Sequence, residues 1–217
     1  MSSSAKNFSD SIIDFAYKNG VYVKNIRFNK GEYIYVNGGR GNLYFIEKGH
    51  VRISTQTRDG KVCNIGFYKE GDFFGESGFS GDIIPETATA LVGCIIKKIN
   101  VISLLEDMKG KDLLYDFIIY MSNKIMEHQK TISSFVIFNS EKRLAYTLMR
   151  MSSEVNSENV SLIKNKISYQ DLSYVVGTTR SRVGYFMSDL IKRGIIKESK
   201  ECFLIVDRER IEEYLME

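Results

Sequence analysis

The sequence is short of the residues that build covalent or metal-based frameworks, with three cysteines, two histidines, one proline and no tryptophan. Cys63, Cys94 and Cys202 lie far apart and form no CxxC pair, so neither a disulfide framework nor a metal site is predicted. No run approaches the roughly 20 apolar residues that a membrane span needs. The N-terminus also lacks the apolar core and cleavage site of a secretory signal. We therefore expect a reduced, cytoplasmic protein with no membrane partner.

The 217 residues have the composition of an ordinary globular protein, with 43% hydrophobic and 26% charged residues. A chain of this length fits two compact domains of about 100–150 residues each. The net charge of +3 is too small to indicate a partner. Between Thr178 and Lys200, however, six basic residues occur against two acidic ones, which is compatible with a phosphate-binding face, although charge alone favours a solvated charged helix.

The first hundred residues predict one helix followed by many short strands. Residues 1–20 have the apolar spacing of a short amphipathic helix. From there to Ile99, β-branched and aromatic runs alternate with glycine-bearing breaks, which predicts an antiparallel sandwich or barrel. The runs are residues 33–36, 43–46, 51–53, 62–65 and 90–92. Asp59-Gly60 predicts a tight hairpin, and Pro85 is expected in a loop.

A long helix is predicted from Lys111 to Phe138, where no glycine or proline interrupts the chain. Its apolar residues recur at intervals of seven in two rows. One row is Ile118, Ile125 and Ile132, and the other is Leu114, Met121, His128 and Phe135. β-branched residues in such a seam favour a parallel two-stranded coiled coil, so we expect a homodimer. The alternative is that one stripe packs on the chain's own sheet.

The C-terminal third predicts two short helices joined by a tight turn. Ser168 can cap the first helix, and Gly177 can supply the left-handed residue that ends it. Thr178 or Thr179 then caps the second helix. This pattern is typical of a helix-turn-helix, in which the second helix enters the major groove of DNA.

Other segments surround this motif. A helix is predicted from Glu141 to about Ser152, and the polar stretch Ser153–Asn165 is expected to form a loop or a weak hairpin. After Gly194, two apolar runs predict a two-stranded wing whose turn, residues 198–201, is exposed.

Side chains near the start of the second helix that point away from Val183 and Met187 are candidate DNA contacts. They are Thr178, Thr179, Arg180, Ser181, Arg182 and Tyr185. Arginine can bond guanine O6 and N7 bidentately, and hydroxyl groups suit phosphates or base edges. Ordinary surface charge is the alternative for Arg180 and Arg182.

From Phe28 to Val206 the chain resembles the CRP/FNR family of bacterial transcription regulators. The resemblance is carried by residues 30–32, 43–51 and 71–76 in the first half and by residues 170–184 in the second. It implies an α+β fold with an N-terminal antiparallel β-roll of the jelly-roll, cyclic-nucleotide-binding-like type, a long central dimerisation helix and a C-terminal winged helix-turn-helix. The expected domains are residues 1–110, 111–138 and 139–217. The implied partners are a second copy, a pseudo-palindromic double-stranded DNA operator and RNA polymerase.

The resemblance also implies an effector pocket. Its candidate residues are Phe74, Gly75, Glu76, Ser77, Glu86, Thr87, Met121 and His128. In members that bind cyclic nucleotides, a glutamate holds the ribose hydroxyl and a later arginine neutralises the phosphate. The matching residues here are Glu76 and Glu86, and no lysine or arginine occurs between Gly71 and Val92. A buried carboxylate beside a phosphate is repulsive, so cyclic AMP is not expected. Glu76 has the alternative role of bonding backbone amides in its loop.

No other cofactor is predicted. An iron–sulfur cluster needs grouped cysteines, and haem needs an axial ligand, whereas His50 is expected to be exposed and His128 to lie on the helix seam. Cys63 and Cys94 lie in apolar runs and are expected to be buried rather than redox-active. An uncharged or cationic effector, a small thiol such as glutathione, and no effector at all stay open. A regulator that responds to cyclic nucleotides and one that is independent of effectors are the alternative functions.

Two other classes of function are disfavoured. The two histidines fall in separate elements and no nucleophile, base or metal-ligand spacing assembles around them, so an enzyme is not predicted. A regulatory module attached to a kinase or channel is disfavoured by the helix-turn-helix.

Overall fold

The computed structural model describes residues 2–39, 41–56, 62–80, 85–154, 160–164, 167–199 and 204–217. The chain divides into two compact units, Met1–Gln129 and Lys130–Glu217. None of the helices in these described ranges is long and apolar enough to cross a membrane.

The first unit consists of two antiparallel four-stranded sheets and the helices packed on them. In chain order its elements are α1 (Ser2–Lys18), β1 (Val23–Phe28), β2 (Tyr33–Val36), β3 (Asn42–Lys48), β4 (His50–Gln56), β5 (Val62–Lys69), β6 (Phe73–Phe74), a short 3₁₀ helix (Glu76–Ser80), β7 (Glu86–Ala90), β8 (Cys94–Asn100), α2 (Val101–Met108) and α3 (Asp112–Ile137), which runs on into the second unit. The strand orders are β1-β8-β3-β6 and β2-β7-β4-β5.

Two buried clusters hold this unit together. One joins α1, α2 and the start of α3 to the first sheet, with Ile12, Phe73 and Leu104 among its fully buried members. The other lies between the sheets around Ile46 and Phe74. Burying side chains of this size is the main source of folding free energy, at about 1.5–3 kcal/mol each.

Helix α3 is fixed to the first sheet by aromatic side chains. The Tyr120 ring stacks on Phe8 of α1 at a centroid distance of 5.1 Å. Its hydroxyl oxygen accepts a hydrogen bond from the backbone N–H of Phe73 at 3.0 Å. Burial raises the pKa of Tyr120, so this hydroxyl stays protonated. The middle of α3 is therefore held beside β6 and the loop that follows it.

The turn between β3 and β4 requires a glycine, Gly49. Gly49 has a φ of 106°, and a Cβ atom there would lie 2.5 Å from Cys94 Sγ. Only glycine combines this backbone conformation with such a close approach.

Most strand predictions are confirmed, and one is wrong in its position. The run predicted at residues 90–92 is a strand at Glu86–Ala90, while Leu91 follows it and donates its N–H to His50 O at 2.9 Å. Strands β1, β6 and β8 were not predicted. Asp59-Gly60 lies outside the described residues, and Pro85 lies in a loop as expected.

The predicted exposure of His50 and burial of Cys63 are both wrong. His50 is only 6% exposed, because it begins β4 and its ring packs against Phe67 at 5.5 Å. Burial, helped by the Lys69 charge, lowers the pKa of His50 to about 4. Cys63 is exposed because β5 is the edge strand of its sheet, whereas Cys94 is buried as predicted.

The second unit combines a small sheet with four helices. Its elements are the end of α3, α4 (Ser140–Met151), β9 (Ser153–Glu154), β10 (Val160–Ile163), α5 (Tyr169–Val176), α6 (Arg180–Lys192), β11 (Ile196–Glu198), β12 (Leu204–Asp207) and α7 (Arg208–Met216). The sheet is antiparallel, with strand order β11-β12-β10-β9. In the polar stretch after α4, β9 pairs with β10, so of the loop and the weak hairpin predicted there, the hairpin is confirmed. Together the two units confirm the predicted α+β fold.

Candidate functional site

Helices α5 and α6 form a helix-turn-helix whose turn is set by local capping. Ser168 Oγ accepts a hydrogen bond from the N–H of Asp171 at 3.1 Å and so caps α5. Gly177 ends α5 in the left-handed conformation, with a φ of 71°. Thr179 is extended, and its Oγ1 accepts a hydrogen bond from the N–H of Arg182 at 3.3 Å. This confirms the capping roles predicted for Ser168 and Gly177. Of the two threonines proposed as the cap of α6, the structure has Thr179.

Helix α6 buries one side and exposes the other. Val183, Phe186, Met187 and Leu190 are its buried residues. On the outer side, Arg180, Ser181 and Arg182 are exposed, and Tyr185 is 70% exposed.

Thr178 differs from the other candidate DNA contacts. Thr179 is exposed with them, but Thr178 is half-buried, and its hydroxyl oxygen has no hydrogen-bond partner among the described residues. The structure therefore brings five of the six candidates to one surface at the N-terminal end of α6. The wing pairs Ile196 with Val206, while residues 200–203 of its turn lie outside the described part of the chain.

The first unit contains a cavity of about 280 Å³ between α3, the second sheet and the 3₁₀ helix. Its lining residues are Tyr35, Ile53, Ile65, Gly66, Tyr68, Glu76, Ser77, Glu86, Met121, Lys124, Ile125 and His128. Five of the eight predicted pocket residues are among them. The other three are elsewhere. Phe74 is fully buried beneath Tyr35 and Tyr44, Gly75 packs on Tyr44, and Thr87 points to the other face of β7 from its neighbours Glu86 and Ala88.

Two carboxylates reach this cavity. Glu86 is only 8% exposed, and its Oε1 accepts hydrogen bonds from Tyr35 Oη at 2.8 Å and from Ser77 Oγ. Glu76 Oε1 accepts a hydrogen bond from Tyr68 Oη at 3.3 Å. Burial raises the pKa of Glu76, and the Glu86 charge adds to the effect, while its own backbone amide and Lys124 oppose it.

Lys124 is a cavity residue that the sequence analysis missed. Its Nζ lies 3.0 Å from Asp72 Oδ1 and 3.3 Å from Glu127 Oε2, and 5.6 Å from the ring centroids of Tyr68 and Tyr120. Burial opposes its charge, but the Asp72 carboxylate outweighs this and raises the pKa of Lys124. Helical spacing could have found it, because residues 121, 124 and 128 share one face of a helix.

Both halves of the chain match known families. Residues 25–109 match the cyclic nucleotide-binding domain, and residues 142–214 match the Crp-like helix-turn-helix domain. The chain belongs to the CRP/FNR family of transcription regulators. The family consists of DNA-binding regulators and not enzymes, so those two predictions are confirmed. Membership of the CRP/FNR family also carries dimer formation and the presence of an effector-binding domain.

Individual CRP/FNR relatives are distant. The cAMP-activated global transcriptional regulator Vfr of Pseudomonas aeruginosa is 26% identical over 174 residues, which cover 77% of this chain and 81% of Vfr. The anaerobic regulatory protein of Bacillus subtilis is 24% identical over 191 residues, or 84% of this chain and 79% of that protein. The structure of FixK2 from Bradyrhizobium japonicum has a TM-score of 0.75 at 19% identity and covers 89% of this chain and 97% of FixK2.

The predicted dimer seam of this CRP/FNR chain divides into two parts on α3. Ile118, Ile125 and Ile132 form a row that is 54%, 58% and 67% exposed. The second row lies mainly on the chain's own side, with Leu114 and Met121 half-buried against the core, His128 half-buried at the cavity and Phe135 beneath the Arg143 guanidinium at 5.0 Å. The second row therefore fits the alternative interpretation, packing on the chain's own side, while the dimer seam at the exposed isoleucine row stays a prediction.

Proposed function

We propose that the protein is a cytoplasmic, homodimeric, sequence-specific regulator that reads a pseudo-palindromic operator with two copies of α6. The main support for this proposal comes from the N-terminal end of α6. Four side chains are exposed there, on a helix whose opposite side is buried, namely Arg180, Ser181, Arg182 and Tyr185. Flexible surface side chains on a rigid, capped helix are what direct reading of base edges requires.

The outer side chains contact DNA in two ways in this proposal. An arginine at the end of α6 bonds guanine O6 and N7, and hydroxyl groups of Thr179 and Ser181 contact phosphates. The isoleucine row of α3 joins the two copies, so that the recognition helices lie about 34–36 Å apart, one turn of duplex DNA. RNA polymerase is the further proposed partner, as in a regulator of transcription.

We propose that the effector is not cyclic AMP, although Vfr is described as cAMP-activated. Glu76 and Glu86 face the cavity, and Lys124, the cation there, is bonded to Asp72 and lies near Glu127. A cyclic phosphate would add negative charge to this low-dielectric site, where like charges repel most strongly. The alternatives are a regulator that does respond to a cyclic nucleotide and one that needs no effector.

Haem and iron–sulfur chemistry have little support in the same site. His128 is the histidine that lines the cavity, and its Nε2 lies 3.4 Å from Tyr68 Oη. His50 lies outside the cavity lining. In the part of the chain that the structure describes, no three histidine, cysteine, aspartate or glutamate side chains are grouped to hold a metal ion.

Selection of bound fragments from a random DNA pool tests this function. We expect enrichment of a two-fold symmetric motif with half-site centres one helical turn apart, and loss of binding when one half-site is scrambled. Enrichment of no motif, or of a single half-site bound by a monomer, would contradict the proposal. Repeating the binding with cyclic AMP at millimolar concentration tests the effector alternative, because a cyclic-nucleotide-responsive protein would gain operator affinity.

A further inference from the structure

The cavity of the first unit has an excess of negative charge. Glu76 and Glu86 line it, and the ammonium group of Lys124 is the one positive group among its described lining residues. That ammonium is bonded to Asp72 Oδ1 at 3.0 Å and lies 3.3 Å from Glu127 Oε2. Two acidic groups therefore offset the lysine, and among the residues that the structure describes no salt bridge joins a cation to Glu76 or Glu86.

Glu86 is arranged to accept a further hydrogen bond. Both of its described hydrogen bonds, from Tyr35 and Ser77, fall on Oε1. Neither bond involves Oε2, and a carboxylate oxygen can accept from more than one donor. Because Glu86 is nearly fully buried, an unpaired charge there is costly, and a donor that carries positive charge would relieve it.

The rest of the lining favours an apolar body on the ligand. Ile53, Ile65, Met121 and Ile125 contribute aliphatic surface, and aromatic rings face the same space. Faces of tyrosine rings attract cations, as the position of Lys124 over Tyr68 illustrates. The volume of about 280 Å³ lies just below the usual range for ligand pockets, about 300–1,000 Å³, so the ligand is small.

We propose that this cavity binds a small organic cation, an amine or guanidine on an apolar or aromatic body, with its positive group against Glu86 and Glu76. The inference rests on the proposed function, in which the cavity is the effector site. An anion of the same size would meet two carboxylates, and a neutral molecule would leave their charge uncompensated.

Calorimetry with matched compounds tests the charge of the ligand on the full-length dimer. One set is tyramine, its alcohol analogue 2-(4-hydroxyphenyl)ethanol and its carboxylate analogue 3-(4-hydroxyphenyl)propionate. The other is 1,5-diaminopentane, 1,5-pentanediol and pentanedioate. We expect at least one amine to bind more tightly than both of its analogues. Absence of binding by either amine up to millimolar concentration, or any other order of affinity within both sets, overturns the proposal.

Variants locate the binding in the cavity. Glu86→Gln keeps an oxygen for Tyr35 and Ser77 but removes the charge, so amine affinity should fall about tenfold or more while alcohol affinity stays the same. Glu76→Gln should weaken amine binding in the same direction and replaces the first variant if that one does not fold. The control, Glu106→Gln, changes an exposed carboxylate of α2 and should leave binding unaltered. Unchanged amine affinity in both cavity variants overturns the proposal.

Operator binding by the same preparations separates this inference from the function on which it rests. If the dimer binds its selected operator but no amine, only the ligand class is wrong. If it binds no DNA of any sequence, the proposed function fails, whatever the amines do.

Discussion

At the scale of single residues, Glu76 and Glu86 are held in different ways in one cavity. Oε1 of Glu86 accepts two side-chain hydrogen bonds, whereas Glu76 accepts a longer one from the Tyr68 hydroxyl and one from its own backbone amide. Burial raises the pKa of Glu76, so its folded state holds a proton more strongly than its unfolded state does. The stability that this protonation contributes is present at acidic pH and is lost as pH rises through the raised pKa.

Replacing Glu76 with glutamine should remove this pH dependence. We expect the melting temperature of Glu76→Gln to match that of the wild type near pH 4 and to exceed it increasingly toward neutral pH. Each kcal/mol of relief corresponds to about 2–4 °C for a chain of this size. Thermal unfolding from pH 4 to pH 8 measures the difference, with Glu106→Gln as the control that should show none. If the melting temperature of Glu76→Gln instead fell below that of the wild type as pH rises, Glu76 would be stabilising in its charged form.

Arg180 should carry base recognition at the start of α6. Arg180→Ala removes a bidentate hydrogen bond, so specific operator affinity should fall by about 1–3 kcal/mol and preference should relax at one base pair. Lys192→Ala, an exposed residue in the last turn of the same helix, should change affinity far less and equally for all sequences. Competition binding with single-base operator variants measures both. The same affinity and the same base preference in Arg180→Ala would remove this residue from the contact set.

At the scale of elements, the turn between α5 and α6 depends on Gly177. Its φ is 71°, and a Cβ there would lie 3.2 Å from Phe135 Cε1. Left-handed backbone costs a non-glycine residue about 1–2 kcal/mol, so Gly177→Ala should destabilise the second unit by at least that amount. The matched variant is Gly184→Ala inside α6, where the nearest atom, Tyr169 Cδ2, would be at 3.7 Å.

Gly184→Ala should instead stabilise by about 0.5–1 kcal/mol, because alanine loses less backbone freedom in a helix. Urea unfolding monitored by circular dichroism compares the two variants. Equal effects of both alanines would mean that the left-handed conformation at residue 177 contributes nothing to the free energy of unfolding.

Elements defined by local spacing were predictable, and those defined by neighbours were not. The long helix and the helix-turn-helix follow from heptads, caps and Gly177, all of which act within a few residues. Strand β8 was missed because Lys97 and Lys98 interrupt its apolar alternation. His50 and Cys63 were misjudged because burial in a sheet depends on which strand lies at the edge, and that is set by pairing distant in sequence.

The cavity shows the same limit for function. Its acidic residues Glu76 and Glu86 could be identified from a resemblance, since they lie in one stretch of chain. Lys124 comes from a helix and meets Asp72 across 52 positions of sequence. Helical spacing places Lys124 on the same face as Met121 and His128, but it does not report the contact with Asp72, and a search confined to residues 71–92 found no cation.

At the scale of the whole molecule, the isoleucine row of α3 should determine the oligomeric state. A charge in the middle of a buried apolar seam is strongly unfavourable, so Ile132→Asp should convert dimers into monomers of 24.9 kDa. Asn123→Asp places the same charge on another exposed side of α3 and should leave dimers intact. Light scattering coupled to gel filtration gives the mass of each. A fully dimeric Ile132→Asp protein would show that the copies associate elsewhere.

The exposed row of isoleucines also affects a chain that has just left the ribosome. Until it meets a second copy, that chain exposes apolar surface of the kind that chaperones and proteases recognise. In the proposed dimer, association covers this surface, so the fraction of chains that stay exposed would fall as the cell makes more copies. At low concentration most chains would be monomers and would be degraded, whereas at high concentration most would be dimers and would persist. The amount of regulator would then rise steeply above a certain rate of synthesis, without any control of transcription.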